Sequence, residues 1–189
     1  MTERSDLPLL RWGEALRQAR IARRTQRRRL AIGAAGIALL GLTVAFPPAP
    51  RLVWNASPSA PMGLYYLHPG RAPEPGDMVV AWPPAPIRQL AATRHYLPLH
   101  VPLVKRVAAT SGDTVCALGQ AIFINGRRAA ERRQTDGQGR PMPSWRGCVT
   151  LRGGAVLLLM DDSASFDGRT FGPTRRQDII GTAHLLWKR

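Results

Sequence analysis

Hydrophobic and polar positions divide the chain into stretches of different pattern. Residues 30–46, LAIGAAGIALLGLTVAF, carry no charge and show no polar face, and Pro47 and Pro48 end them. At a helical rise of about 1.5 Å per residue this run reaches roughly 25 Å, near the lower limit for crossing a bilayer core. A helix packed in a soluble core would carry a polar face, which this one lacks. The pattern therefore predicts one transmembrane anchor over 30–49. A cleavable signal peptide ending at Ala45 is the rival reading. Against it stand a long basic region and a poor small–x–small pattern. Both readings place residues 50–189 outside the cytoplasm.

Beyond Pro50 the pattern changes. No long helical period remains, and short apolar runs alternate with Gly, Pro and Asp, which predicts a mostly β domain. Strands are expected at 63–68, 77–82, 102–110, 114–119, 121–126, 154–161 and 179–188. Asn125-Gly126 suits a tight hairpin turn, and Pro75-Gly76-Asp77 and Ser111-Gly112-Asp113 suit turns before strands. Residues 86–96 could form one short helix after Pro86. The Arg-, Gly- and Pro-rich stretch 127–147 is expected as an exposed loop or a long hairpin arm. Several short strands in so few residues suggest a compact β-barrel-like or folded-sheet domain.

Charge refines the picture. The chain has 27 basic and 12 acidic residues, a net charge of +15. Nine arginines fall in residues 1–29, against Glu3, Asp6 and Glu14. A basic segment beside an apolar span stays on the cytoplasmic side, so residues 1–29 are expected as a cytoplasmic tail and 50–189 as the extracytoplasmic domain. The tail also suits contact with anionic membrane lipid. Nucleic acid is not expected as a partner, because no reading motif accompanies the charge. The two cysteines, Cys116 and Cys148, flank the polar Gly-rich excursion. In an oxidising compartment they are a candidate disulfide, with two buried free thiols as the alternative. Neither has a second Cys or His at ligand spacing, so no metal is expected, and no cofactor is implied.

Three stretches carry candidate chemistry. In NASPSAPMGLYYL (55–67), Ser57 and Ser59 alternate with Pro58 and Pro61, which stiffen the chain and exclude a helix. None of the four histidines, His68, His95, His100 and His184, has a motif that would make it the base for a serine. Lysine is the other known partner. The chain holds only two, Lys105 and Lys188, against 25 arginines, and Lys105 stands inside the apolar run PLVKRVAAT. Arginine could not act there, because guanidinium stays protonated. Burial among Leu103, Val104 and Val107 would lower the amine's pKa from its usual value of about 10.4. A water-facing edge lysine is the alternative. Finally, in DDSASFDGRTFGP (161–173), Ser165, Asp167 and Arg169 would share one face of an extended segment and could form a hydrogen-bonded cluster; a solvated turn is the alternative.

Together these stretches resemble the type I signal peptidase family of serine–lysine endopeptidases, and more closely its TraF-type conjugative branch of pilin-processing peptidases. NASPSAPMGLY resembles the serine box, PGDMVV (75–80) the next strand box, LVKRVAATSGDTV (103–115) the lysine box and SFDGRTFGP (165–173) the last box. DGQGRPMPSWRGC (136–148) and GTAHLLW (181–187) are similar to the conjugative branch in particular. The resemblance covers roughly 30–187. It implies a signal-peptidase-like β domain with one N-terminal transmembrane helix, in the bacterial inner membrane with the catalytic domain periplasmic. It implies Ser59 as nucleophile and Lys105 as general base. Ser57 would lend its hydroxyl to the oxyanion hole beside the Ser59 amide. Ser165 would orient the lysine, with Asp167 and Arg169 in support. Gly168 stands where the family has Ser, a departure expected to loosen the turn at little cost in activity. The implied substrate is a conjugative prepilin or another leader-bearing exported protein, with the acyl-enzyme resolved by water or by peptide cyclisation. A general housekeeping signal peptidase and an inactive membrane-anchored β scaffold of a secretion apparatus are the alternatives.

Overall fold

The computed structural model describes residues 8–46 and 51–189. The chain divides into two units, Met1–Ala49 and Pro50–Arg189. The first is built on one helix, α1, Pro8–Ala45. Its apolar half is long enough to cross a membrane, and none of its most apolar window is buried. Basic and apolar segments thus share a single helix.

The second unit is mainly β, as expected. Ten strands run β1 Leu52–Asn55, β2 Gly63–His68, β3 Met78–Ala81, β4 Leu103–Ala109, β5 Thr114–Leu118, β6 Ala121–Ile124, β7 Arg127–Glu131, β8 Gly147–Thr150, β9 Leu157–Leu158 and β10 Ile179–Lys188. They form a six-stranded sheet, β1-β2-β10-β3-β4-β9, and a four-stranded sheet, β7-β6-β5-β8. Every pairing is antiparallel. The large sheet is buried on both faces at its centre. Tyr65, Leu67, Val80, Val104 and Met160 pack on one side, and Val79, Ala81, Val107, Val156, Leu158 and Ile179 form a second cluster. Two-sided burial is why β3 and β4 read as near-continuous apolar runs rather than alternating ones. The small sheet has its own core around Val115, Ala117, Ile122 and Leu151.

Gly63, which opens β2, is required by close approach. Its φ is +149°, and a Cβ there would lie 2.0 Å from the Trp187 carbonyl oxygen of β10. A side chain at this point would push β2 and β10 apart.

Several expected elements come out differently. The short helix is α2, Ala85–Thr93, ending before His95, whose φ is +59°. The expected strand 154–161 shrinks to β9. Gly153 and Gly154, both at positive φ, turn the chain just before it, and its pairing with β4 is interrupted by a register shift. Residues 127–131 leave the predicted loop to form β7, a hairpin partner of β6 across Asn125-Gly126. The remainder, 132–146, is the arm. The segment 165–169 is not extended: Asp167 caps a one-turn helix, α3, Gly168–Phe171. β1 has no pattern of its own in the sequence, because its four residues lie between a proline-rich stretch and a loop.

Candidate active site

The loop between β1 and β2 carries Ser57 and Ser59. Pro58 and Pro61 cannot supply amide hydrogens, so side chains take over the task of holding the loop. Asn55, at the end of β1, is buried. Its Nδ2 donates to the carbonyls of Ser57 (3.0 Å), Ala60 (3.2 Å) and Pro61 (3.0 Å). Its Oδ1 accepts from the Ser57 amide at 3.1 Å. Tyr65 Oη donates to the Pro61 carbonyl at 2.8 Å. In the sequence Asn55 is only a letter of the serine box, and its role as the loop's internal tie lies in contacts that no local pattern encodes.

Lys105 lies on β4 opposite Val79 of β3 and is 2% exposed. Its Nζ donates to Ser59 Oγ at 2.8 Å and to Ser165 Oγ at 2.8 Å. Ser59 Oγ also shares a hydrogen bond with Ser57 Oγ at 2.9 Å, either hydroxyl serving as donor. The Ser59 amide makes a longer contact to Ser57 Oγ at 3.4 Å. Three residues far apart in sequence, Ser59, Lys105 and Ser165, thus meet around one amine. Burial lowers the Lys105 pKa to about 8; Asp167 and Asp162 pull it up and Arg169 pushes it down. Desolvation dominates because the amine has hydroxyl partners and no direct carboxylate contact.

Asp167 and Arg169 lie beneath this centre as a buried ion pair, Nη1 to Oδ2 at 2.7 Å. The carboxylate also accepts from the amides of Met160 (3.0 Å) and Arg169 (3.1 Å). Burial pushes the Asp167 carboxyl above its ordinary value, opposed chiefly by the guanidinium. Arg169 Nη1 donates to the Asp162 carbonyl at 3.0 Å, and Nη2 reaches the Met160 carbonyl. Together the pair closes the loop 160–169 that holds Ser165.

Gly168 has a clear physical reason. A Cβ there would sit 2.8 Å from both Leu157 Cδ1 and the Leu158 carbonyl oxygen. The turn is therefore tight rather than loose, and the backbone of β9 occupies the space a serine would need.

Cys116 and Cys148 are opposed on β5 and β8 and joined as a disulfide. Arg106, next to Lys105 on β4, turns the other way and pairs with Asp161. Among the described residues no cluster of His, Cys, Asp or Glu could hold a metal ion. His68 packs edge-on against Tyr66, and Ser59 has Ser57 and Lys105, not histidine, as its side-chain partners.

Similarity to known proteins extends along most of the chain. The family model described as signal peptidase, peptidase S26, matches residues 24–188. A plasmid transfer protein TraF of Escherichia coli is 34% identical over 163 residues, covering 80% of this chain and 89% of its own length. A second Escherichia coli protein of that description is 34% identical over 166 residues, covering 80% and 92%. A probable conjugal transfer protein TraF of Sinorhizobium fredii is 33% identical over 140 residues, covering 68% and 73%. The solved signal peptidase I of Enterococcus faecalis V583 aligns at 19% identity over 59% of this chain and 97% of its own, with a TM-score of 0.35, a likeness that adds nothing to the family match. Since the family model spans the serine loop, the lysine strand and the Ser165 loop alike, the chain belongs to the signal peptidase family, peptidase S26.

Proposed function

We propose that this protein is a membrane-anchored serine endopeptidase that removes leader peptides from exported proteins, a conjugative prepilin first among them. The observation that carries the reading is the 2.8 Å contact between Lys105 Nζ and Ser59 Oγ at a buried amine. With a pKa of about 8, roughly a tenth of the amine is neutral at pH 7. In that form it accepts the Ser59 proton as Oγ attacks the scissile carbonyl carbon. The oxyanion takes hydrogen bonds from the Ser59 amide and the Ser57 hydroxyl, which turns from Ser59 Oγ toward it; one such donor is worth about 3 kcal/mol. Lys105, now an ammonium held by Ser165, returns its proton to the leaving amine. The resulting Ser59 ester is opened either by water or by an amine of the same substrate, which closes a ring. A small residue before the cut suits this family.

The TraF names of the relatives support the conjugative assignment over a housekeeping peptidase. We read α1 as a single-pass inner-membrane anchor with its arginine-rich end cytoplasmic and residues 50–189 periplasmic. Exposed Trp54 and Trp187, ring centroids 5.8 Å apart, suit contact with membrane lipid from the catalytic domain.

The test is co-expression with a candidate prepilin, followed by intact mass of the product. Wild type should yield the processed form, and Ser59→Ala and Lys105→Ala should yield none. Undiminished processing in both variants would refute the assignment. A product lighter by one further water would identify ring closure.

A further inference from the structure

The arm 132–146 has no part in the chemistry above, yet its contacts converge on the loop that carries Ser165. At its far end it docks on the segment after α2. Tyr96 Oη donates to Asp136 Oδ2, and Arg94 Nη1 donates to the Pro141 carbonyl at 2.8 Å. Asp136 also gathers the arm's own tip, accepting from the amides of Gln138 (2.9 Å) and Arg140 (2.8 Å) and from Arg140 Nε (2.6 Å). The ring of Tyr96, so held, lies 5.4 Å from that of Phe166, which in turn lies 5.8 Å from Phe171. Phe166 is the residue next to Ser165.

At its near end the arm reaches α3. Trp145 Nε1 donates to the Gly168 carbonyl at 2.9 Å, and its indole lies against Gly172, where a Cβ would touch it at 3.4 Å. Arg132 Nη1 holds the Trp145 carbonyl at 2.6 Å, and the disulfide fixes the strand that follows.

We propose that this arm is a clamp on the Ser165 loop, and that Trp145 and Tyr96 are positioning residues for the Lys105 amine. The proposal rests on the Ser59–Lys105 reading and deepens it. Ser165 has one turn bond of its own, its amide to the Asp162 carbonyl at 3.1 Å. The clamp ties the loop immediately after that turn, at Phe166 and at Gly168. If it loosens, Ser165 withdraws from Nζ and water reaches the amine. The charged groups acting on Lys105 are Asp167, Arg169 and Asp162, all on this same loop and its helix. Its hydroxyl partners are Ser59 and Ser165. Loosening therefore removes the desolvation that holds the amine near 8 and moves its titration toward 10.5. Each pH unit of that displacement lowers the neutral fraction at pH 7 about tenfold.

Because the chain has only two lysines, Lys105 and Lys188, the full chain labelled with 13Cε-lysine in detergent micelles presents two signals. Lys188→Arg assigns them. Trp145→Phe deletes the indole N–H while leaving a smaller aromatic ring, and Tyr96→Phe deletes the phenol hydroxyl and keeps the ring. In each variant the Lys105 midpoint is expected to move to higher pH by about one unit, and in the Cys116→Ala/Cys148→Ala double variant in the same direction. Gln138→Ala, whose side chain makes no tie in the arm, is expected to match wild type. Melting temperatures recorded alongside separate global loosening, which lowers stability without moving the midpoint, from the clamp. A Lys105 midpoint unchanged in both Trp145→Phe and Tyr96→Phe overturns the proposal. No substrate enters this experiment. A midpoint unmoved in Trp145→Phe and Tyr96→Phe, with processing lost in Ser59→Ala and Lys105→Ala, would therefore sink the clamp alone, whereas retained processing in the latter two would sink the peptidase reading.

Discussion

At the scale of single residues, the cost of burying Lys105 sets the pH behaviour. The folded amine titrates near 8 and an exposed lysine near 10.5. Below pH 8 the folded state must hold a charge it would rather shed, and the whole penalty is present. Between 8 and 10.5 the unfolded state binds more protons than the folded one, so stability rises with pH. Lys105→Met lacks this term. Wild type should therefore gain on Lys105→Met across that window by up to about 3 kcal/mol, as read by denaturant unfolding at pH 7 and pH 10.5. A pH-independent difference would contradict the burial account. Activity should follow the same group: kcat/KM for prepilin processing should fall about tenfold per pH unit below about 8. Asn55 acts differently, through geometry. Asn55→Ala removes four hydrogen bonds from the serine loop, and kcat should drop by at least tenfold.

At the scale of elements, the loop 160–171 is where small changes should matter most. Gly168→Ser, which would match the family's usual pattern, forces a side chain against the Leu158 carbonyl. It should destabilise the domain by about 1–3 kcal/mol rather than restore anything, a shift measurable by thermal unfolding. Removing one partner of the buried Asp167–Arg169 pair, as in Arg169→Leu, should cost about 3–5 kcal/mol, because the carboxylate is left unpaired in the interior. The sequence signals differed in kind across these elements. β2, β3, β4 and β10 were legible because their apolar runs are long and bounded by turn residues. Asn125-Gly126 was legible because that dipeptide accepts a hairpin turn. The course of 161–173 was not. Ser165, Asp167 and Arg169 do converge, but through an Asp-capped helical turn rather than an alternating strand. A cap of four residues leaves no periodicity to detect. The arm was visible as a polar Gly- and Pro-rich stretch, while its docking depends on partners dozens of residues away, Tyr96 and Gly168, which no local pattern encodes.

At the scale of the whole molecule, α1 joins the arginine-rich segment to the apolar one without a break. Peptide mapping of the protein in the membrane fraction should therefore find the arginine-rich segment still joined to the residues that follow Ala45. A mature form beginning after Ala45 would show a signal peptide instead. Orientation has its own test. A reporter phosphatase that folds only in an oxidising compartment, fused after Arg189, should be active. An inactive fusion would reverse the topology.

The most direct measurement of the central claim is the 13Cε titration of Lys105 in the unmodified full chain, free of substrate. A buried neutral base beside Ser59 predicts a midpoint near 8, displaced when Ser59 or Ser165 is replaced by alanine. A Lys105 signal that titrates at the ordinary value near 10.5, indifferent to both hydroxyls, would contradict the account.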